Sequence, residues 1–322
     1  MARLNSGHSV PRIGFGTWNA NANAEQSLSD ETLVEEAIRA GARSLDTAMI
    51  YGNEIDVGRA IKTVVDEGIV RRDDLFVSTK LWSTYHTHEG VVTGCRESLR
   101  RLGVERVDLY FVHAPWAFKA GAPTSPLDVT PEWIRKWDPD EFRHVWTGME
   151  RLVDLGLARS IGVSNFSVKK LNDVLARGVR IPPAVNQVES HPYLQQNEML
   201  EYCRRNGIVM SAFSPLGSPS RGPSNRRPDD PVLLDDPLLA QIAEVRRCTV
   251  AQVALAWAMH RGVVPVTKSS SRRHVEEDIR AFDVALTSED VSRLSELDCN
   301  FRYLRMESFR AVGETTADLW DE

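Results

Sequence analysis

Cysteine is scarce and unpaired in this chain. Cys95, Cys203, Cys248 and Cys299 lie far apart with no C-x-x-C among them, which excludes a thiolate zinc site of ordinary spacing and a disulfide framework. Free thiols suit a reducing compartment. The opening MARLNSGHSVPRIG has no apolar core of signal-peptide length, and no later stretch approaches about 18 uninterrupted apolar residues, so neither a leader nor a membrane span is expected and the cytoplasm is the expected location. No stripe of one charge sign exists either. Lys and Arg total 39 against 45 Asp and Glu, a net charge of -6, which argues against a nucleic-acid partner. The GFG at 14–16 lacks the third glycine of a Rossmann fingerprint. His86, His88 and Glu89 have no further ligand at a typical spacing, so no metal is expected. The sequon at Asn165 means nothing without secretion.

What the chain does have is 322 residues, 42% hydrophobic and 26% charged, enough for one large packed core. Eight short β-branched or apolar runs recur: 13–17, 44–47, 75–79, 107–112, 160–163, 184–187, 209–213 and 264–267. Amphipathic helical patterns alternate with them, the pattern of βα units and a parallel sheet. Eight such units predict an α/β protein, a single (β/α)₈ TIM barrel spanning 1–322. Helices are expected over 30–40, 53–67, 89–102, 139–155, 168–176, 197–206, 250–260 and 272–281, with extras at 237–247 and after 287. Residues 1–12 read as a hairpin that plugs the far end of the barrel. The loops 114–138 and 214–235 are long and follow strand ends, the face where barrels place active sites. Residues 300–322 are expected to form a C-terminal substrate loop.

Four polar residues cluster at strand ends: Asp46 and Tyr51 after the second, Lys80 after the third and His113 after the fourth. Tyr is a poor acid near neutrality, with a reference pKa of about 10. A Lys⁺ about 4 Å away, at an effective dielectric near 20, interacts with the phenolate by roughly 4 kcal/mol, enough to lower the phenol's pKa by about 3 before burial opposes it. Asp46 would keep Lys80 charged and directed, and His113 would orient a carbonyl. The set suits proton delivery to a carbonyl oxygen.

With that set in place, the chain resembles the aldo-keto reductases over nearly its whole length. The matching segments are GFGTW at 14–18, LDTAMIYGNE at 45–54, STKLW at 78–82, FVHAP at 111–115, IGVSNF at 161–166, NQVE at 186–189, SPLGS at 214–218 and VPVTKSS at 264–270. The resemblance implies carbonyl reduction by hydride from C4 of a reduced nicotinamide, with Tyr51 as general acid and the other three residues as just described. It also implies NADPH, with NADH possible, lying extended across the barrel mouth and binding first. The contacts it implies are Thr17, Trp18 and Asp46 near the ring and Ser164, Asn165 and Gln187 on the carboxamide. Phe213 would stack on the nicotinamide. Ser214, Leu216 and Ser218 would hold the pyrophosphate, and Lys268, Ser269, His274, Glu277 and Asp278 the adenosine end. Trp18, Ile50, Trp82, His113, Ala114 and Trp116 would form the substrate pocket.

Several residues depart from the family's usual pattern. Phe213 stands for the usual Tyr, His274 for an Arg and Asp278 for an Asn. Ser220 and Asn19 replace the Asp and Lys of a salt-bridged belt, which predicts faster cofactor release. Ala114 replaces a frequent Trp and predicts a wider pocket beside the carbonyl, suited to hydrophobic or aromatic aldehydes. Arg221, Arg226 and Arg227 are expected in a solvated loop rather than on an anionic substrate. The substrate is thus a small-molecule carbonyl, and a monomer is expected, since no exposed interface pattern is evident. A nicotinamide-sensing regulatory protein on the same barrel is the alternative from another class, and a storage protein descended from a reductase is a further one.

Overall fold

Apolar strand residues followed by capped amphipathic helices build the molecule, here a computed structural model describing residues 1–18, 29–123, 128–222, 225–269 and 271–322. The strands in chain order are β1 (Ala2–Arg3), β2 (Ser9–Val10), β3 (Gly14–Gly16), β4 (Ser44–Asp46), β5 (Phe76–Leu81), β6 (Val107–Val112), β7 (Ala117–Phe118), β8 (Ile134–Arg135), β9 (Ala158–Ser164), β10 (Val185–Glu189), β11 (Val209–Phe213) and β12 (Val264–Thr267). Eight of them, all but β1, β2, β7 and β8, close a parallel barrel in the order β10-β11-β12-β3-β4-β5-β6-β9. The helices are α1 (Asp30–Arg39), α2 (Glu54–Asp66), α3 (His88–Leu102), α4 (Pro139–Asp154), α5 (Val168–Leu175), α6 (Asn197–Arg205), α7 (Pro237–Arg246), α8 (Val250–His260), α9 (Arg272–Ile279), α10 (Ser288–Ser295) and α11 (Thr316–Trp320). The expected (β/α)₈ barrel is therefore the fold.

Local chemistry explains the helix ends. Ser29 accepts from the Thr32 amide to start α1, whose buried face is Leu33, Val34, Ala37 and Ile38. Asp138 caps α4 with Pro139 in its first turn. Gly58 lets α2 lie against the end of α3: a Cβ there would fall 2.5 Å from the Leu102 carbonyl oxygen. Asn53, expected inside α2, instead precedes it as a buried junction, donating to the Thr17 carbonyl (2.8 Å) and Asp30 (3.0 Å).

The opening hairpin closes the end of the barrel away from the strand C-termini. β1 and β2 pair antiparallel, and Leu4 and Val10 pack with Phe76, Leu109, Val185 and Val264 at or near strand starts. Asn5 donates to the Pro183 carbonyl (2.9 Å) and Ser6 meets Ser160 (2.7 Å). At the opposite end, β7 and β8 form a small antiparallel ribbon inside the 114–138 loop.

Candidate active site

Strand alternation sets the site. Ser78 and Lys80 lie two apart on β5 and so face the same side, into the barrel, while Thr79 faces outward and donates to Glu54 of α2 at 2.7 Å. Asp46, the last residue of β4, receives both inward groups: Ser78 Oγ donates to its Oδ2 at 2.9 Å and the Lys80 ammonium to its Oδ1. Gln187 reaches across from β10 to donate to the same Oδ2 at 3.0 Å. Lys80 also donates to the Thr47 carbonyl at 3.0 Å. The carboxylate and the ammonium are both almost fully buried. Such a pair persists because every polar atom in it is engaged.

Tyr51 comes from the turn Met49–Tyr51, with its ring centroid 5.2 Å from the Lys80 ammonium. His113 follows β6 directly, its amide donating to the Leu81 carbonyl at 3.2 Å, and its ring meets Tyr51 edge-on with centroids 5.7 Å apart. The structure thus brings Asp46, Tyr51, Lys80 and His113 together at the barrel mouth, and Trp18 covers Tyr51 at 5.0 Å while remaining 48% exposed.

The electrostatics correct one expectation. Burial is the largest influence on Tyr51 and holds its pKa above the ordinary 10.0, even though Lys80 pulls it down. A desolvated phenolate costs more than one ammonium, itself shared with Asp46, returns. Burial opposes the Lys80 charge too, but Asp46 and Tyr51 outweigh it and raise its pKa. Burial, aided by Lys80 and His86, holds His113 well below 6.5. The resting site is a neutral phenol, an ammonium paired with a carboxylate, and a neutral imidazole.

The family assignment follows from comparison with known proteins. Residues 12–298 match the Aldo/keto reductase family. This chain belongs to it. Among its relatives are an aldo/keto reductase of Synechocystis sp., 38% identical across 99% of this chain and 95% of its own length, and estradiol 17 beta-dehydrogenase 5 of Mus musculus, 39% identical across 99% and 97%. Prostaglandin-E(2) 9-reductase of Oryctolagus cuniculus is also 39% identical, across 99% and 97%. The protein is accordingly an NAD(P)H-dependent oxidoreductase that reduces carbonyl groups.

The residues expected along the cofactor path fit a nicotinamide dinucleotide. Asn165 takes a left-handed backbone (φ 64°), and its Nδ2 donates to the His113 carbonyl at 2.9 Å, which leaves Oδ1 buried with no partner. An orphaned buried acceptor costs about 1–3 kcal/mol until a donor arrives. The carboxamide N–H of nicotinamide is such a donor. Ser164 beside it donates to the Gln187 carbonyl at 2.8 Å, and Thr17 Oγ1 is likewise buried and unpartnered. Phe213 ends β11, half-buried. Ser214 and Ser218 both adopt positive φ (52° and 48°) and share a 2.8 Å hydrogen bond across half-buried Leu216. At the far end Ser269 accepts from the Ser271 amide at 3.0 Å, ahead of α9.

Lys268 follows β12, and its pKa is lowered by burial while Asp30 opposes the shift. His274 is exposed, and Glu277 pairs with Arg273 at 2.8 Å. Asp278 is buried, accepts from Thr267 at 2.8 Å and is pushed up to about 6 by burial. The belt comparison involves Asn19, which lies outside the described residues; Ser220 is exposed. Among the described residues, no group of three or more His, Cys, Asp or Glu could hold a metal. None of the described helices is long and apolar enough to cross a membrane.

Of the residues expected to form the substrate wall, Ile50, Trp82, Ala114 and Trp116 gather in an apolar cluster that also takes in others. Ala114 is 0% exposed and sits in one apolar cluster with Met49, Trp82, Trp116 and Phe118, packed against half-buried Ile50. Its small side chain is covered by these neighbours. Phe309, from the C-terminal segment, stacks on Trp116 (5.0 Å, 15°) and meets Trp82 edge-on at 5.9 Å. Trp320 of α11 meets Trp116 at 6.4 Å. Sequence reasoning marked the segment but missed these residues, whose aromatic type in the tail was the only signal.

Arg221 also departs from expectation. Its side chain is 5% exposed rather than solvated, paired at 2.9 Å with Asp230, itself 4% exposed. Arg226 and Arg227 are exposed, donating to the Pro219 carbonyl (2.7 Å) and to Glu307 (3.1 Å).

Proposed function

We propose that this reductase uses NADPH to convert hydrophobic aldehydes and ketones to alcohols, with Tyr51 as proton donor, as a cytoplasmic monomer. The observation that carries the reading is the closed arrangement of a neutral phenol beside a buried ammonium, with a neutral imidazole edge-on to that phenol. When bound, the reduced nicotinamide supplies the hydride. Tyr51 holds its proton at rest because burial keeps its pKa high. It releases that proton only to a stronger base, which a carbonyl oxygen becomes as it gains electrons. Lys80 then stands beside a phenolate and stabilises it, an interaction greater in the transition state than before it. Asp46 and the Thr47 carbonyl fix the ammonium's direction. His113, kept neutral, offers an N–H to orient the carbonyl rather than competing as an acid.

Asn165, Ser164 and Gln187 would hold the carboxamide, Phe213 would cover the ring face and residues 214–218 the pyrophosphate. Lys268 supports NADPH over NADH, as a cation suited to the extra phosphate. Trp18, Trp82, Trp116 and Phe309 support an apolar substrate body. Two relatives named for a steroid and a prostaglandin conversion agree with that class. The test is a panel of aromatic, aliphatic and carboxylated aldehydes with both cofactors. Turnover of aromatic aldehydes with higher kcat/KM for NADPH is expected; equal or better kcat/KM with NADH defeats the cofactor assignment, and cofactor binding without any turnover defeats the enzyme reading in favour of a sensor.

A further inference from the structure

The loop after β11 and the C-terminal segment are joined by a buried junction that proton transfer does not require. Tyr303 is fully buried at its centre. Its amide donates to Glu189 Oε1 at 2.6 Å and the Leu304 amide to Oε2 at 3.0 Å, so the end of β10 fixes the segment's backbone. Its hydroxyl donates to the Pro231 carbonyl at 2.9 Å, and the Arg221 guanidinium covers its face at 4.6 Å. Its ring lies against Gly217, where φ is +73° and an added Cβ would stand 2.9 Å from both Tyr303 and Leu233. Two residues on, Arg305 donates to Asp230 Oδ1 at 2.7 Å, while Arg221 and the Arg227 amide donate to Oδ2, each at 2.9 Å. The Arg305 carbonyl accepts from Trp320 at 3.4 Å, and Trp320 in turn abuts Trp116.

We propose that Asp230, Arg305 and Tyr303 form a clasp that registers the aromatic substrate wall on the loop holding the pyrophosphate, with Asp230 and Arg305 as positioning residues. The inference rests on reading residues 214–218 as cofactor contacts. Gly217 lies between Ser214 and Ser218, so the Tyr303 ring bears directly on that cradle. Phe309 lies four residues beyond Arg305 on the same segment. Loosening one side therefore loosens the other. The clasp is a buried two-armed carboxylate, unlike the exposed Arg227–Glu307 pair that bridges the same two segments. An exposed pair of that kind contributes little.

The experiment compares the parent with Arg305→Met, which frees the segment yet leaves Arg221 to balance Asp230, with Tyr303→Phe as a milder cut and Arg227→Ala as control. Hydrogen exchange on the full chain without cofactor is expected to rise about fivefold or more in both 214–222 and 301–309 for Arg305→Met, less for Tyr303→Phe and negligibly for Arg227→Ala. NADPH Kd, read by tryptophan fluorescence, should rise about threefold, and KM for an aromatic aldehyde about tenfold, with a smaller fall in kcat. Arg305→Lys should recover part of each change. Faster exchange confined to 301–309 overturns the clasp. Faster exchange in both segments with unchanged Kd and KM overturns the positioning role. The exchange arm needs no turnover, so failure of the proposed chemistry would leave the junction itself still judged.

Discussion

The ring of Asp46, Tyr51, Lys80 and His113 and the aromatic wall meet at one barrel mouth but are built in different ways. Asp46 and Lys80 project from barrel strands, with Tyr51 and His113 close behind strand ends, and the charged pair is fully hydrogen-bonded by Ser78, Gln187 and the Thr47 carbonyl. The wall is gathered largely from the 114–138 loop and the chain's last residues, joined by Trp82 after β5 and by Met49 and Ile50 after β4, and it leaves the indole N–H groups of Trp82 and Trp116 buried without acceptors. On the proposed reading, the barrel fixes what is done to a carbonyl, whereas loops fix which carbonyl is admitted. Changes in the first region should act on the chemical step, and changes in the second on substrate choice.

The sharpest break between the two would come from Tyr51→Phe, expected to lower kcat roughly 10²–10⁴-fold with NADPH Kd nearly unchanged. Retention of more than a tenth of parent kcat would dissolve the distinction. Lys80→Met should cost roughly 10²–10³ in kcat. Because it leaves the Asp46 carboxylate buried and unpaired, it should also cost about 3–5 kcal/mol of stability, read by urea unfolding. In the wall, Phe309→Ala should raise KM for an aromatic aldehyde about tenfold while moving kcat/KM for a short aliphatic aldehyde less than twofold, within the span hydrophobic pocket contacts provide. Equal losses for both substrates would show that the wall acts on chemistry. The smallest effect is expected from Lys268→Met: about a five- to tenfold rise in KM for NADPH with KM for NADH little changed, the loss of one charge-assisted contact.

The same contrast explains what the sequence disclosed. β6, β11 and β12 fall where their apolar runs begin and end. β5 runs two residues further than its β-branched core because Lys80 and Leu81 pair with Phe111 and Val112. β9 starts earlier because Ala158 pairs with Val107, a partner no local pattern reveals. The ring was legible because the chemistry proposed for it demands particular residue types at strand ends. Phe309 was not, since its neighbours Trp116 and Trp82 lie far away in sequence and no period marks it. Arg221 sits in a polar, Pro- and Gly-rich stretch that reads as solvated; its buried state comes from Asp230, Arg305 and Tyr303, brought in by the fold. Tyr51 was assigned its place correctly but the wrong direction of pKa, because the extent of its burial is a tertiary quantity.

Tyr51 above its ordinary 10.0 stays protonated until pH rises through that raised value, and His113 well below 6.5 stays neutral until pH falls through its lowered one. The single-turnover rate of NADPH oxidation with an aromatic aldehyde should therefore be level from about pH 6 upward through about pH 9, declining only as pH rises through the phenol's raised value. A rate that instead breaks near pH 7, and loses that break in Tyr51→Phe, would contradict a phenol kept neutral by burial.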